Sequence, residues 1–423
     1  MESYGKILLI AMPAFLLLVL FEKWYGHRHR NTAMNNMDTI SSLASGVTNV
    51  TKDVLGLSLA LYTYSWMAEH WALTTVRSTV WTYIIAFFAL DFAGYCIHRI
   101  QHTYNFFWNG HIIHHSSEEF DLACALRQSV SSFVKLFTVF LLPAALLGVP
   151  EKVIAIVAPL HLFAQFWYHT VHINKMGFLE KIIVTPSHHR VHHAINPEYL
   201  DKNYGQIFIF WDKLFGTFQE ERPEIKPVYG ITRPVRTWNP FKINFMHMGL
   251  LAQDAWRTKS IKNKLKIWMM PTGWRPEDVA EKYPVYKIAD VQDFERYRTK
   301  EDKAFTIWCW FQVLMLLLFV SWLFGNIVAI GSPGMFIYGG FVFLFVYALT
   351  DMMDGGKYAV IPGILPALAG VLIIIYTGDW FGAGSFIPGI QYVLLVYFLA
   401  IALVPVFFFK QGDEKQAVSE LQA

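Results

Sequence analysis

VWTYIIAFFALDFAGYCIHRIQH, residues 80–102, is the stretch that decides the fold. Its first eighteen residues, Val80 to Ile97, carry a single charge, Asp91, and are long enough to cross a bilayer core as a helix. Where that helix emerges, His98 and His102 stand four apart and share one face. The chain therefore reads as a membrane helix ending in a pair of imidazoles.

Working outward, the same hydropathy recurs. Apolar blocks at Leu8–Phe21, Val47–Met67, Ser131–Val149 and Val153–Tyr168 make, with Val80–Ile97, five spans before a polar region from His169 to Lys303. The block at Val47–Met67 is the weakest, because it holds Lys52 and Asp53. Four more follow at Ala304–Phe324, Met335–Leu349, Tyr358–Tyr376 and Ile387–Phe409. The expectation is an all-α polytopic membrane protein of about nine spans with a histidine-rich cap. Residues 1–303 would form the catalytic membrane domain with its cap, 304–410 a four-helix transmembrane region, and 411–423 a flexible tail. The first block lacks a small-residue cleavage site and reads as a retained anchor.

Composition agrees. Of 423 residues, 54% are hydrophobic and 16% charged, against ~25% charged in an average soluble protein. A net charge of +3 argues against a nucleic-acid binder. With the amino terminus outside, only Lys6, Arg77 and Lys152 of the 35 Lys and Arg fall outside, a bias that puts both histidine-rich regions at one cytoplasmic face. Such an orientation fits a bacterial inner membrane or an endoplasmic reticulum equally.

Histidine is the anomalous residue. Twelve of 16 lie between His98 and His193, in three boxes: His98/His102, His111/His114/His115 and His189/His192/His193. At helical spacing each box aims its rings at one point. Eight imidazoles exceed the roughly four that a tetrahedral ion takes and suit two metals with open positions. Unpaired buried imidazoles would otherwise be costly. His169 is a further candidate ligand or hydrogen-bond partner, and His188 and His172 are candidates for the surrounding shell. Asp91, two turns before His98, is placed to accept the second N–H of a ligating ring. Glu118, with Glu119 and Asp121, is either a carboxylate near the metals or part of a solvated run. His27, His29, His70 and His247 read as bystanders. Aromatics including Phe106, Phe107, Trp108, Phe163, Phe208 and Trp211 could line an acyl tunnel or anchor the membrane interface. The three cysteines form no CxxC pair, and HExxH, GxGxxG and P-loop patterns are absent.

The ordered HxxxH, HxxHH and HxxHH boxes resemble the fatty acid hydroxylase and sterol desaturase superfamily, membrane oxygenases with a non-haem di-iron centre. Three longer phrases, HRIQHTYNFFWNGHIIHHSSEEFDLACALRQS (98–129), TPSHHRVHHAINPEYLDKNYGQIFIFWDKLFGTF (185–218) and VYGITRPVRTWNP (228–240), resemble the branch that cleaves glyceryl ethers with tetrahydrobiopterin. The likeness runs from about Met1 to Pro240, with similar hydropathy beyond. It implies that the eight box histidines hold two iron ions and that the partners are a membrane lipid, O2 and a reductant. Thr103 stands directly after the first box, where the ether-cleaving branch has an acidic residue. Ether cleavage with a pterin, sterol or fatty-acyl hydroxylation or desaturation fed by ferredoxin or cytochrome b5, and a non-catalytic metal-binding transporter are therefore kept side by side.

Overall fold

A computed structural model describes residues 2–30, 34–60, 63–132, 134–135, 137–299, 302–355 and 360–421. Apart from a two-residue parallel pairing of Leu59–Ala60 with Val134–Lys135, its regular elements are helical. Among the described residues, five helices are long and apolar enough to cross a membrane. They lie in α1 (Glu2–Tyr25), α3 (Val80–Thr103), α6 (Lys303–Ile330), α7 (Gly334–Met353) and α9 (Ile390–Leu421), and α8 (Val360–Thr377) is a shorter apolar helix. α9 continues into the charged stretch after Lys410, where a loose tail was expected.

Three of the nine expected spans take another form. In place of Val47–Met67, helix α2 (Asn36–Val54) starts earlier, where Asn35 accepts from the Met37 and Asp38 N–H groups. It is amphipathic. Its buried residues include Asp38, Ser41, Ser42, Thr48 and Lys52, and Lys52 donates to the carbonyls of Ser129 and Ser132 at 3.1 and 3.0 Å. Gly56, at φ +69°, ends the run that hydropathy alone would have continued.

Ser131–Val149 holds the two-residue strand Val134–Lys135, a 3-10 turn (Phe137–Leu141) and a short helix (Leu142–Leu146). Val153–Tyr168 is reduced to α4 (Glu151–Phe163), whose 13 residues span ~20 Å, less than the ~30 Å core of a bilayer. These segments nevertheless run alongside α3. Ser131 bonds Asn109, between the first two boxes, whereas Leu73 N–H reaches the Leu146 carbonyl beside the opposite end of α3.

One apolar core joins Leu8 of α1 and Met37, Ile40 and Ala44 of α2 to Cys309, Val320, Phe341, Val346 and Phe398 of the carboxy-terminal helices. A second packs α3 against α4 through Ala86, Leu90, Val153 and Val157. Residue 303 thus does not separate two cores: the first two helices belong with the last four. The cap rests on this bundle through a buried ion pair, Arg127 to Asp38 at 3.2 Å.

Candidate metal centre

α3 is capped by a reciprocal Thr79–Thr82 box at one end and carries His98 and His102 in its last two turns at the other. Tyr104 then breaks the helix, and after a short turn of helix at Asn105–Trp108 the chain forms the four-residue helix Ile112–His115, with His111 at the position just before it. The third box sits on α5 (Pro186–His192), started by Thr185 and by proline at a position where no N–H is needed.

Two groups of nitrogens converge, each with its donor atoms within 4.8 Å of one another. The first holds His98, His102, His111, His115 and His192, and the second His114, His169, His189 and His193. All eight box histidines are present. His169 joins them as a ninth. The second and third boxes do not each point at one place, as expected. Residues four apart share a face, so His111 and His115 go one way and His189 and His193 the other, while His114 and His192 each cross to the opposite group. The groups share a wall: His115 and His193 stack with centroids 4.3 Å apart.

Four of the ring nitrogens facing away are tied to backbone carbonyls, while His102 Nδ1 faces the Asp201 carboxylate at 3.7 Å. Nδ1 of His98 bonds Tyr204 O at 2.9 Å, His192 bonds Lys202 O at 2.9 Å, His114 bonds Arg127 O at 3.3 Å and His169 bonds Gln165 O at 3.1 Å. A carbonyl can only accept, so each Nδ1 carries the proton and each Nε2 presents a lone pair. The Nε2 atoms of His114 and His169 nevertheless lie 3.4 Å apart, two acceptors facing each other. Nε2 of His192 is buried without a hydrogen-bond partner. A cation held by each group would satisfy these lone pairs, and an all-imidazole donor set suits iron, zinc or copper. These residues fit a metal pair.

Electrostatics point the same way. Burial, reinforced by neighbouring imidazoles, holds His111, His115, His169, His189, His192 and His193 well below the usual histidine range and pushes His114 down to about 3. Neutral rings are what metal ligation requires. Trp108 packs on His102 and His115, with centroids at 4.9 and 5.5 Å, and Phe120 on His193 at 5.3 Å, so aromatic rings line both groups.

Other expected neighbours lie elsewhere. His188 faces Thr185 at the start of α5, its ring against Phe218. His172 packs edge-on to Tyr25. Glu118 accepts the Tyr297 N–H, and Glu119 pairs with Arg296 and Arg298, both at 2.9 Å, so these carboxylates clamp the segment before α6 to the cap. Asp91 is wholly buried but reaches no box histidine, because two helical turns put it ~10 Å along the axis from His98. Its donors are His161 Nε2 and Ile207 N at 2.8 Å, Phe208 N at 3.2 Å and Trp211 Nε1 at 2.8 Å. Of the expected tunnel aromatics only Trp108 touches the boxes. Phe163 stacks on Phe15, and Phe208 on Phe88.

The carbonyls that orient the rings have no side-chain signal. Their nearest sequence cue is the Asp201–Asn203 turn, where both residues adopt positive φ (58° and 55°) and Asp212 accepts the N–H groups of Tyr204 and Gly205.

A helical membrane protein with a two-part histidine centre at the end of one span is the architecture of a membrane lipid hydroxylase. Residues 83–217 match the family model of the fatty acid hydroxylases. Alkylglycerol monooxygenase of Homo sapiens is 32% identical over 85% of this chain and 80% of its own length, and that of Danio rerio 37% identical over 72% and 67%. Ornithine lipid hydroxylase of Rhizobium tropici is 28% identical over 34% of this chain and 44% of its own. No solved structure matches. The chain belongs to the fatty acid hydroxylase family, in its alkylglycerol monooxygenase branch, and is an integral membrane oxidoreductase acting on lipids.

Proposed function

We propose that the chain hydroxylates the carbon beside the ether oxygen of an alkylglycerol, using O2 and a two-electron reductant, with one iron ion held by each histidine group. The first ion would be held by His98, His102, His111, His115 and His192, and the second by His114, His169, His189 and His193. The facing lone pairs of His114 and His169 carry this reading.

Bound iron would supply the O2 chemistry. Overall, C–H, O2, two electrons and two protons become C–OH and water. At an ether carbon the product is a hemiacetal, which collapses to an aldehyde and glycerol. The protein's part is orientation and dryness. The carbonyls of Tyr204, Lys202, Arg127 and Gln165 fix four rings, and Trp108, Phe120 and Tyr168 keep water from the ligands. Membrane lipid would enter from the α3 side with the cap on the cytoplasmic face of a bacterial inner membrane or the endoplasmic reticulum.

Tetrahydrobiopterin is the reductant that the ether-cleaving likeness supports. Thr103, however, supplies no carboxylate, and its hydroxyl bonds back to the Arg99 carbonyl at 2.6 Å. That observation favours a second reading, a ferredoxin- or cytochrome b5-fed hydroxylase of other membrane lipids. Reconstituted protein should turn over alkylglycerol with tetrahydrobiopterin and not with ferredoxin. Turnover with ferredoxin alone, or of a sterol or acyl lipid instead, would establish the second reading. Ion flux in liposomes without O2 uptake would replace both with a transporter.

A further inference from the structure

The buried carboxylate of Asp91 is too far from the boxes to orient a ligand directly, yet two side-chain contacts and the backbone of one residue connect it to His169. We propose that Asp91, His161 and Gln165 are positioning residues for the second metal, acting through the ninth histidine, His169. This rests on the two-metal reading above.

His161 lies in the last turn of α4, facing α3, with Nε2 donating to Asp91 Oδ1 at 2.8 Å. Its Nδ1 faces the Gln165 amide rather than a carbonyl or carboxylate. Gln165 Nε2 donates to that Nδ1 at 3.1 Å and to the His161 carbonyl at 3.2 Å, using both amide protons. This pins the Gln165 side chain, and with it the turn following Phe163. α4 ends at Phe163, and Gln165 lies two residues beyond it, where its carbonyl is outside the helix. The Gln165 carbonyl is the one that accepts from His169 Nδ1, at 3.1 Å. His169 Nε2 in turn lies 2.8 Å from His189 Nε2 and 3.4 Å from His114 Nε2. The Asp91 carboxylate thus orients the His161 ring, His161 holds the Gln165 amide, and the pinned Gln165 backbone presents the carbonyl that leaves the His169 Nε2 lone pair facing the second group.

The connection is also selective. Asp91 has its own four donors from His161 and the 207–211 segment, while Nδ1 of His98 and His192 in the first group are held by Tyr204 and Lys202. The branch through His161 and Gln165 ends at His169 in the second group, whereas the Ile207 N–H bond of Asp91 belongs to the segment whose Gln206 amide lies 3.1 Å from His98 Nδ1, so selectivity resides in His161 and Gln165. Loosening that branch therefore weakens one metal and spares the other.

The test is ferrous-iron and cobalt(II) titration of detergent-purified full-length protein, followed by metal content and by the cobalt ligand-field spectrum. Wild type should take two ions per chain. Gln165→Leu and His161→Phe should keep the first with unchanged affinity and weaken the second ~10–100-fold, the usual cost of losing an outer partner of a ligand. His161→Gln, which can still donate to Asp91, should recover part of the loss. Two ions bound at wild-type affinity in Gln165→Leu and His161→Phe, or both ions lost together, would overturn the assignment. A wild type binding fewer than two ions would instead remove the reading beneath it.

Discussion

At the scale of single residues, the decisive fact is that backbone carbonyls set the orientation of four rings, those of His98, His114, His169 and His192. His192 shows it most simply: Nδ1 is tied to Lys202 O and Nε2 is buried and unpartnered. His192→Ala should therefore cut metal at the first site and lipid turnover by at least ~100-fold, the upper cost of losing even an indirect partner, measured as iron per chain and product formed. Arg127 is the residue-scale counterpart for the fold. Its guanidinium pairs with Asp38 and bonds Ser42 and Ser116, all buried. Arg127→Met would leave the Asp38 charge uncompensated at a cost of ~3–5 kcal/mol, visible as a lower denaturation midpoint in detergent. The histidines themselves were legible in the sequence because their spacing is dense and periodic. Their division was not, since three boxes say nothing about which of two ions each ring serves until neighbouring helices are in place.

At the scale of elements, hydropathy identified the helices whose surroundings are apolar on every side and misjudged those with one polar, buried face. α2 is the example. It lies between α6 and α7 while Lys52, Ser45 and Asp38 face the cap, so its composition looks too polar for a membrane helix. The opposite error occurred at Ser131–Val149, apolar enough to be a span but broken by Pro143 and by Gly148. Gly148 has φ +69°, and a Cβ there would lie 1.9 Å from the Thr74 carbonyl oxygen. Gly148→Ala should destabilise by more than the ~1 kcal/mol of backbone strain alone, because the 72–76 segment must also move; thermal unfolding of the purified protein measures it. Asp91 was expected to accept from a ligating ring and instead accepts from His161 and the 207–211 segment. Its partner was missed because His161 lies 70 residues away and in a different helix.

At the scale of the whole molecule, the cap and bundle are held by carboxylates with opposing demands. Burial pushes Glu118 up to about 7, partly offset by the Tyr297 N–H. The folded state thus holds its proton more tightly than the unfolded chain, whose glutamate titrates near 4.5. Stability from this group is complete below pH 4.5 and is lost as pH rises through 7. Glu118→Gln, which keeps the acceptor without the charge, should stabilise by up to ~3 kcal/mol at pH 8 and by almost nothing at pH 4. Unfolding midpoints at the two pH values give the comparison. Above these details stands the claim that two groups of neutral histidines at a membrane face exist to hydroxylate lipid with O2. It is tested most directly by supplying 18O2 to iron-loaded, reconstituted protein with an alkylglycerol and tetrahydrobiopterin, and trapping the aldehyde at once by reduction. The account predicts one 18O atom in the trapped alcohol for each O2 consumed. Product without the label, or no O2 uptake with any reductant and any membrane lipid, would contradict it.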